Sequence, residues 1–423
     1  MKQAPFWVDD SPRPDRLTGE PPDDTDYLIV GSGLTGLAAA LRLARAGNAV
    51  TVLDQGEIAS GASSINGGMV SPDVKAGMRA VEKAYGPELA TEMWEATVRS
   101  VEIIDELDRE HGLDAIVARG GMTGLGLHAR DEGKFADQVA WYNERFGTNW
   151  STVDRDEVKG LVAGSEHFIS GFHEPEGIGI HPARFVFGLA GAAQNAGVIL
   201  APGTDARSVE SAKSGFLVRT NRGQIRAGTV LVATNGYTTS RPVPRLARLV
   251  VPVGSYIIVT EPVGEAEAKS IFPTNSMSYT RRRILNYMRR THDHRILIGG
   301  RRNLRTDLDL AQSADDLRRR LVDFWPQLED AAITHVWGGK LAVPFDLLPH
   351  IGRIDGVWYA MGYAGHGVGL ATLLGHDLAG MLLGDSPSVF SKIRHSGRFY
   401  YRNKPWFLGP ASVLYRNLDR IGR

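Results

Sequence analysis

At 423 residues the chain is longer than a single hydrophobic core usually serves, so two domains are expected. Lys+Arg and Asp+Glu balance at 48 each, which removes any global-charge argument for nucleic acid or a membrane surface as partner. Cysteine is absent, excluding disulfides, thiolate metal sites, thiol catalysis and a cysteinyl link to a cofactor, and no apolar run reaches the ~18 residues that span a bilayer.

Residues 1 to 26 are rich in Pro and Asp and carry no apolar signal core, so they read as an extended arm on a cytoplasmic protein. The pair Phe6-Trp7 is expected to pin that arm to the fold. Residues 27 to 54 follow as YLIVGSGLTGLAAALRLARAGNAVTVLD. The run 27 to 30 has the length and β-branching of a buried strand. Gly31, Ser32, Gly33, Leu34, Thr35 and Gly36 form a turn, and Leu34, Leu37, Leu41 and Ala44 then recur at helical spacing. A second apolar run, 49 to 53, ends on Asp54 and Gln55. Strand, glycines, helix, strand and acid in this order make a dinucleotide-binding βαβ unit. Gly31 allows the tight turn, Gly33 the approach of a pyrophosphate, and Gly36 the close seat of the helix on the strand. The helix N-terminus favours the phosphates, and Asp54 is placed for the adenosine ribose.

Small residues crowd 61 to 69 (GASSINGGM), where the backbone at Ser63, Ser64, Asn66, Gly67, Gly68 and Met69 is free to approach a flat or anionic ligand. Residues 78 to 111 predict one or two amphipathic helices, and 114 to 128 alternate as strands do. Gly-Ile-His-Pro at 179 to 182 leads into a helix from 183 to 196, then a strand at 198 to 200 and a hairpin around Asn221-Arg222-Gly223. The strand from 229 ends in Ala233, Thr234, Asn235 and Gly236, a small-residue turn at a carboxyl end, where open α/β sheets take ligands. Residues 250 to 300 alternate like antiparallel strands with one solvated face. Small residues return at Trp337-Gly338-Gly339 and at Gly365-His366-Gly367-Val368-Gly369, which opens a helix from 370 to 383 able to face an anion or a carbonyl-rich ring. The predicted fold is α/β: a Rossmann-like domain (1–75, 165–248 and 336–390) with an inserted antiparallel-sheet α+β substrate domain (76–164 and 249–335). A tail, 391–423, is expected to pack on the fold.

Together these stretches resemble the D-amino-acid-oxidase-like (DAO) FAD-dependent oxidoreductases, most nearly their gamma-glutamylputrescine oxidase-like branch. The resemblance rests on VGSGLTGLAAALRLARAGNAVTVLD, GASSINGGM, IHPARFVFGLA, TVLVATNGYT, YMRRTHDHRILIGGR, WGGK with DLLPHIGR, and GYAGHGVGLATLLG. They stand in the family's order from 28 to 384, with FW and NKPWF at the flanks. The resemblance implies FAD rather than NAD at the βαβ unit; because that unit and the Gly365 turn are intact and no cysteine exists to tether the ring, the FAD is expected to be held without a covalent link. It implies that Asn66-Gly67-Gly68 and the turn 365 to 369 flank the isoalloxazine, and that the Ala206 backbone meets the adenine. Gly339 and the 233 to 236 turn belong to the same cofactor set. The chain departs from the family at Ile65, where an arginine commonly precedes the asparagine, and at Asp54, commonly a glutamate.

The chemistry so implied is oxidation of an amine or amino acid, by hydride transfer to flavin N5 and hydrolysis of the resulting imine, with oxygen or a quinone as acceptor. Candidate substrate contacts lie on the inserted sheet: Tyr256, Tyr287 and Arg289 (two apart, hence one strand face), and Arg301 after a Gly-Gly. Aromatic walls suit an alkylamine, and an arginine fork suits a carboxylate. Lys340 is a candidate cation near N5, and His366, between two glycines, a candidate contact to ring or substrate. No metal is expected, since His292-Asp293-His294 reads as a hairpin turn. Two alternatives stand beside this reading. One is a flavoenzyme of a hydroxy acid or polyol, which needs a base that only His366 obviously supplies. The other is a non-catalytic flavin-binding subunit.

Overall fold

The computed structural model describes residues 1–423 apart from 302, 303, 308, 399, 402–404 and 421–423. Asn403 and Lys404 of the NKPWF stretch and the last three residues of the tail therefore lie outside the described residues. Among these residues the strand Asp24–Val30 is the spine of the first sheet. It pairs in parallel with Val50–Leu53 on one side and Gly223–Val232 on the other. Parallel pairing continues outward to Ile199–Ala201 and to Val357–Met361. The hairpin strands Ala206–Ser211 and Phe216–Thr220 extend one edge in antiparallel fashion, as the turn at 221 to 223 predicts.

Both faces of such a sheet must be buried: helices cover one, and the hairpin strands with the 243–250 segment cover the other. Leu34–Arg45 follows the glycine turn, and a Cβ at Gly36 would lie 2.0 Å from the Gly31 carbonyl oxygen, so only glycine lets this helix sit so low. Gly367–Leu383, apolar on almost every side, crosses it at backbone contact, where a Cβ at Gly375 would meet Thr35 O at 2.1 Å. Thr35 Oγ1 and the Tyr363 hydroxyl, 2.6 Å apart, tie the two helix starts together.

The second sheet runs in the order Ile333–Pro344, Val250–Thr260, Ile296–Gly300, Tyr287–Arg290, Met277–Thr280, Met122–Gly126, Ser170–Glu174, Ser151–Val153. Every pairing in it is antiparallel except Met277–Thr280 with Met122–Gly126. The helix Leu310–Phe324 packs on it with Val158, Phe272 and Trp325 in a separate apolar cluster. Three placements differ from the sequence boundaries. Ser170–Glu174 belongs to this sheet although it falls within 165–248, and Ile333–Pro344 lies wholly in it although 336 was the expected return. Its eleven-register pairing with Val250–Thr260 gives the physical reason: a long ladder outweighs local glycines. Likewise Pro87–His111, expected in the inserted part, shares the core of the nucleotide-side helices through Met93, Ile103 and Ile104.

The arm is pinned as its aromatics suggest. Phe6 and Trp7 start a short helix, Phe6–Asp10, and are 3% and 0% exposed. The tail also packs back: the Tyr401 hydroxyl donates to Val250 O (3.2 Å), and Ser412 on the helix Leu408–Arg420 accepts from Leu304 N (3.0 Å).

Candidate active site

One cleft of about 1520 Å³ is lined by both sheets, and it gathers most of the expected residues. At one end lie Gly31, Ser32, Gly33, Leu34 and Thr35, with Asp54 and Gln55 beside them and Ala206, Ala233, Thr234 and Asn235 across the way. This end is a cradle made by missing side chains. A Cβ on Gly33 would stand 2.8 Å from Ser63 Oγ, which itself accepts the Leu34 N–H at 3.0 Å and so joins loop to helix start. Asp54 accepts the Ser32 N–H and hydroxyl on Oδ2 and the Gly56 N–H (3.0 Å) on Oδ1, which fixes its carboxylate at the rim. A pyrophosphate at this helix start meets free N–H groups and the positive end of the dipole. The residues present therefore fit a dinucleotide.

Three expected contacts shape this end without lining it. Gly36 seats the helix, and Gly236 lies where a Cβ would strike Lys340 O at 2.6 Å. Ser64 is fully buried and donates to Ala59 O at 2.7 Å.

In the middle of the cleft, Asn66, Gly67 and Met69 face the N-terminus of Gly367–Leu383, with Gly365, His366, Val368 and Gly369 around it and Gly339 and Lys340 alongside. Gly68 is buried behind them, its φ of +69° leaving no room for a Cβ against Ile180 O. Lys340 is exposed, its Nζ 5.6 Å from the centre of the Tyr237 ring. His366 presents its imidazole to the cleft, and loss of water, helped by the charge of Lys75, pushes it down to about 3. It is therefore neutral at physiological pH.

Beyond lies a chamber of charged and phenolic side chains. Tyr287 stands on its wall, hydroxyl 3.1 Å from Ser255 Oγ, and Arg301 joins it with no partner at Nε among the described residues. Burial lowers the Arg301 guanidinium, which nonetheless stays charged. Facing them are residues that sequence reasoning missed: Asp73, Lys75, Tyr142, Glu174 and Tyr279. Tyr142 donates to Asp73, whose carboxyl burial raises to about 6. The Tyr279 hydroxyl donates to Glu174 at 3.3 Å, and burial lifts that carboxyl well above its usual range. Burial, then the charge of Arg301, lowers the Lys75 ammonium. Asp73 and Lys75 follow the GGM loop by a few positions, a proximity that was the only available signal; nothing marks Glu174 within SGFHE.

Two expected substrate contacts are corrected. Along Val250–Thr260 it is Val251, Val253, Ser255 and Ile257 that line the cleft. Strand alternation therefore sends Tyr256 to the other face, 3% exposed, with its hydroxyl donating to Arg305 O (3.4 Å). Arg289 does share a strand face with Tyr287, but its guanidinium ends behind the 67–68 turn, 1% exposed. It donates to Gly68 O (2.8 Å), Ile180 O (2.9 Å) and Gly67 O (3.3 Å), and has no access to the cleft.

Outside the cleft, Asp10, His181 and His292 bring ligand atoms within 4.8 Å of one another. His181 Nδ1 accepts the Arg184 N–H, so its proton sits on Nε2 and points at Asp10 Oδ2, 3.0 Å away. The Arg184 guanidinium stands 3.6 Å from the same oxygen, so Asp10 already has a cation beside it. The group is an ion-pair network around the His292-Asp293 turn.

A nucleotide-binding parallel sheet, joined to an antiparallel platform across one cleft, defines the architecture of a flavin-type oxidoreductase. The family model described as "FAD dependent oxidoreductase" (DAO) matches residues 26–381. The chain is 31% identical to gamma-glutamylputrescine oxidoreductase of Escherichia coli (strain K12), over 94% of this chain and 93% of that one. It is 33% identical to the probable oxidoreductase OrdL of Rhizobium meliloti (strain 1021), over 86% and 84%. Among solved structures, glycine oxidase from Geobacillus kaustophilus superposes with a TM-score of 0.75 at 21% identity, covering 89% of this chain and all of that one. The chain belongs to the DAO family of FAD-dependent oxidoreductases and is an enzyme of that family. No described helix is long and apolar enough to cross a membrane.

Proposed function

We propose that the chain oxidises the C–N bond of an amine or amino acid that also carries a carboxylate, using FAD held without a covalent link. When bound, the flavin supplies a two-electron sink for the hydride beside the amine nitrogen. The observation that supports the reading is the set of groups lining one cleft: the phosphate cradle, the small-residue turns, and a chamber with Tyr287, whose ring would meet a Cβ on Gly67 at 2.9 Å, Lys75 and Arg301. Arg301 and Lys75 offer the chamber's positive charge to a carboxylate, and Tyr287 offers a flat wall to the carbon chain. The match to gamma-glutamylputrescine oxidoreductase supports an alkylamine with an amino-acid end.

His366 bears on the rival hydroxy-acid reading. An alcohol needs a base to take its proton as the hydride leaves, and a base serves best with a pKa near the working pH. An imidazole held at about 3 is a weak base, so His366 orients rather than deprotonates. A neutral amine needs no such base. Its nitrogen lone pair assists the departure of hydride.

The test is anaerobic mixing of the flavin-loaded protein with panels of amines, amino acids and hydroxy acids, following loss of the oxidised-flavin absorbance. Rapid bleaching by amines bearing a carboxylate, and none by hydroxy acids, is expected. Bleaching by hydroxy acids alone would overturn the reading.

A further inference from the structure

Three side chains from distant parts of the chain converge on one short turn. The Trp337 indole N–H donates to Ile65 O at 2.8 Å, and the Trp7 indole N–H donates to Asn66 O at 2.9 Å. Arg289 Nη1 reaches the next two carbonyls, Gly67 O at 3.3 Å and Gly68 O at 2.8 Å. Four successive carbonyls are thus drawn to the inner side of the turn by donors 0–2% exposed, none of them aliphatic. The Arg289 guanidinium also lies over the Trp7 ring, 5.7 Å from its centre, so arm and strand brace one another.

The consequence follows from the trans peptide. Carbonyl and following N–H point in opposite directions across a planar unit. With Asn66 O turned inward to Trp7, the Gly67 N–H is turned outward, and Gly67 lines the cleft. The next N–H, on Gly68, is already taken by Asn66 Oδ1 at 2.8 Å, whereas no acceptor among the described residues meets that of Gly67. A cleft-facing N–H opposite the N-terminus of Gly367–Leu383 is a donor waiting for a ligand.

We propose that Trp7, Arg289 and Trp337 are positioning residues of the cofactor site, holding the 65–68 carbonyls back so that the Gly67 N–H is presented to an acceptor atom of the flavin ring. The inference rests on the reading that FAD fills this cleft. It makes the N-terminal arm, which lines no part of the cleft and reaches it only from behind through Asn66, part of the cofactor-binding apparatus. It also gives Arg289 a duty other than substrate binding.

Trp7→Phe tests it, because the ring stays over Arg289 while the indole donor is lost. The apoprotein is titrated with FAD, and the loaded protein's absorbance and reduction potential are measured. FAD affinity is expected to fall roughly 2- to 13-fold, the range of one net hydrogen bond. The potential is expected to move negative, since a donor to the electron-rich reduced ring is weakened. Arg289→Lys, whose point charge cannot span the carbonyls, should shift both in the same direction. Should Trp7→Phe not fold, Trp337→Phe asks the same of Ile65 O. Lower thermal stability with unchanged affinity, spectrum and potential would overturn the inference and leave a merely structural role. Wild-type protein that takes up no FAD would instead overturn the functional reading on which it stands.

Discussion

The two ends of the cleft are made of different material. The nucleotide end recognises with backbone, and its side chains matter by being absent: a Cβ at Gly33 or Gly36 meets neighbouring atoms at 2.8 and 2.0 Å. The chamber end is built of side chains from separate segments: Glu174 and Tyr287 on the second sheet, Arg301 just after one of its strands, and Lys75 from the loop that follows Met69–Val70. Backbone recognition demands an unbroken local motif and tolerates little change. Side-chain recognition is assembled from anywhere and is free to vary, which is how one fold keeps its cofactor while changing its substrate.

Substitutions at the two ends should therefore fail in different ways. The largest effect is expected at Gly33→Val, which places a side chain in the phosphate cradle: the protein should lose its flavin entirely on gel filtration. A full complement of flavin in this variant would remove the pyrophosphate from that turn. Next comes Arg301→Met, which should keep its flavin and lose roughly 10- to 150-fold in kcat/KM on the best carboxylate-bearing amine, the range of a charge-assisted hydrogen bond. An unchanged kcat/KM would move carboxylate recognition elsewhere, with Lys75 the first alternative.

His366→Asn sits between the two ends. Because the imidazole is held at about 3, it loses its proton well below neutrality and is uncharged throughout the working range. The rise of flavin reduction with pH should then follow the substrate ammonium and the chamber's own titrating groups, Asp73, Glu174 and Lys75, with no share from His366. The variant is expected to be slower by roughly 2- to 13-fold, one hydrogen bond's worth, with the same midpoint. Loss of the midpoint with the histidine would return the hydroxy-acid mechanism.

The smallest effect belongs to the chamber's buried acids. The Glu174 carboxyl is raised well above its usual value by burial, so the native state binds its proton more tightly than the unfolded chain does. Its stabilising contribution is complete below the ordinary carboxylate range and is lost as pH rises through the raised value. Glu174→Gln should flatten the decline of Tm between pH 5 and 9, by about 2 °C if the group is worth ~1 kcal/mol. Parallel Tm profiles for the two proteins would show that water reaches the carboxyl.

How much of this was legible in the sequence follows the same division. The βαβ unit could be read because its residues are consecutive: strand, turn, helix and acid lie within 27 to 55, each constrained by its immediate neighbours. The turns at 66 to 68, 233 to 236 and 365 to 369 could be read for the same reason, and the aromatic pair at 6 and 7 announced a buried arm. The failures are equally instructive. Tyr256 and Ser255 are adjacent, and alternation alone says only that they part company; which one faces the cleft depends on pairing with Ile333–Pro344. Arg289 had the right strand face and the wrong depth, since its guanidinium meets carbonyls of a turn 221 residues away. Glu174 belongs to a strand whose sheet could not be assigned from its own five residues.

By itself, then, the sequence determined the nucleotide-binding end, because phosphate recognition by backbone is a property of a few contiguous residues and of the conformations they permit. The tertiary structure decided the chamber, of which the sequence marks only Tyr287 and Arg301. Burial and charge belong to an environment rather than to a residue, and only folding placed Asp73, Lys75, Glu174 and Arg301 around one space while turning Tyr256 and Arg289 away from it.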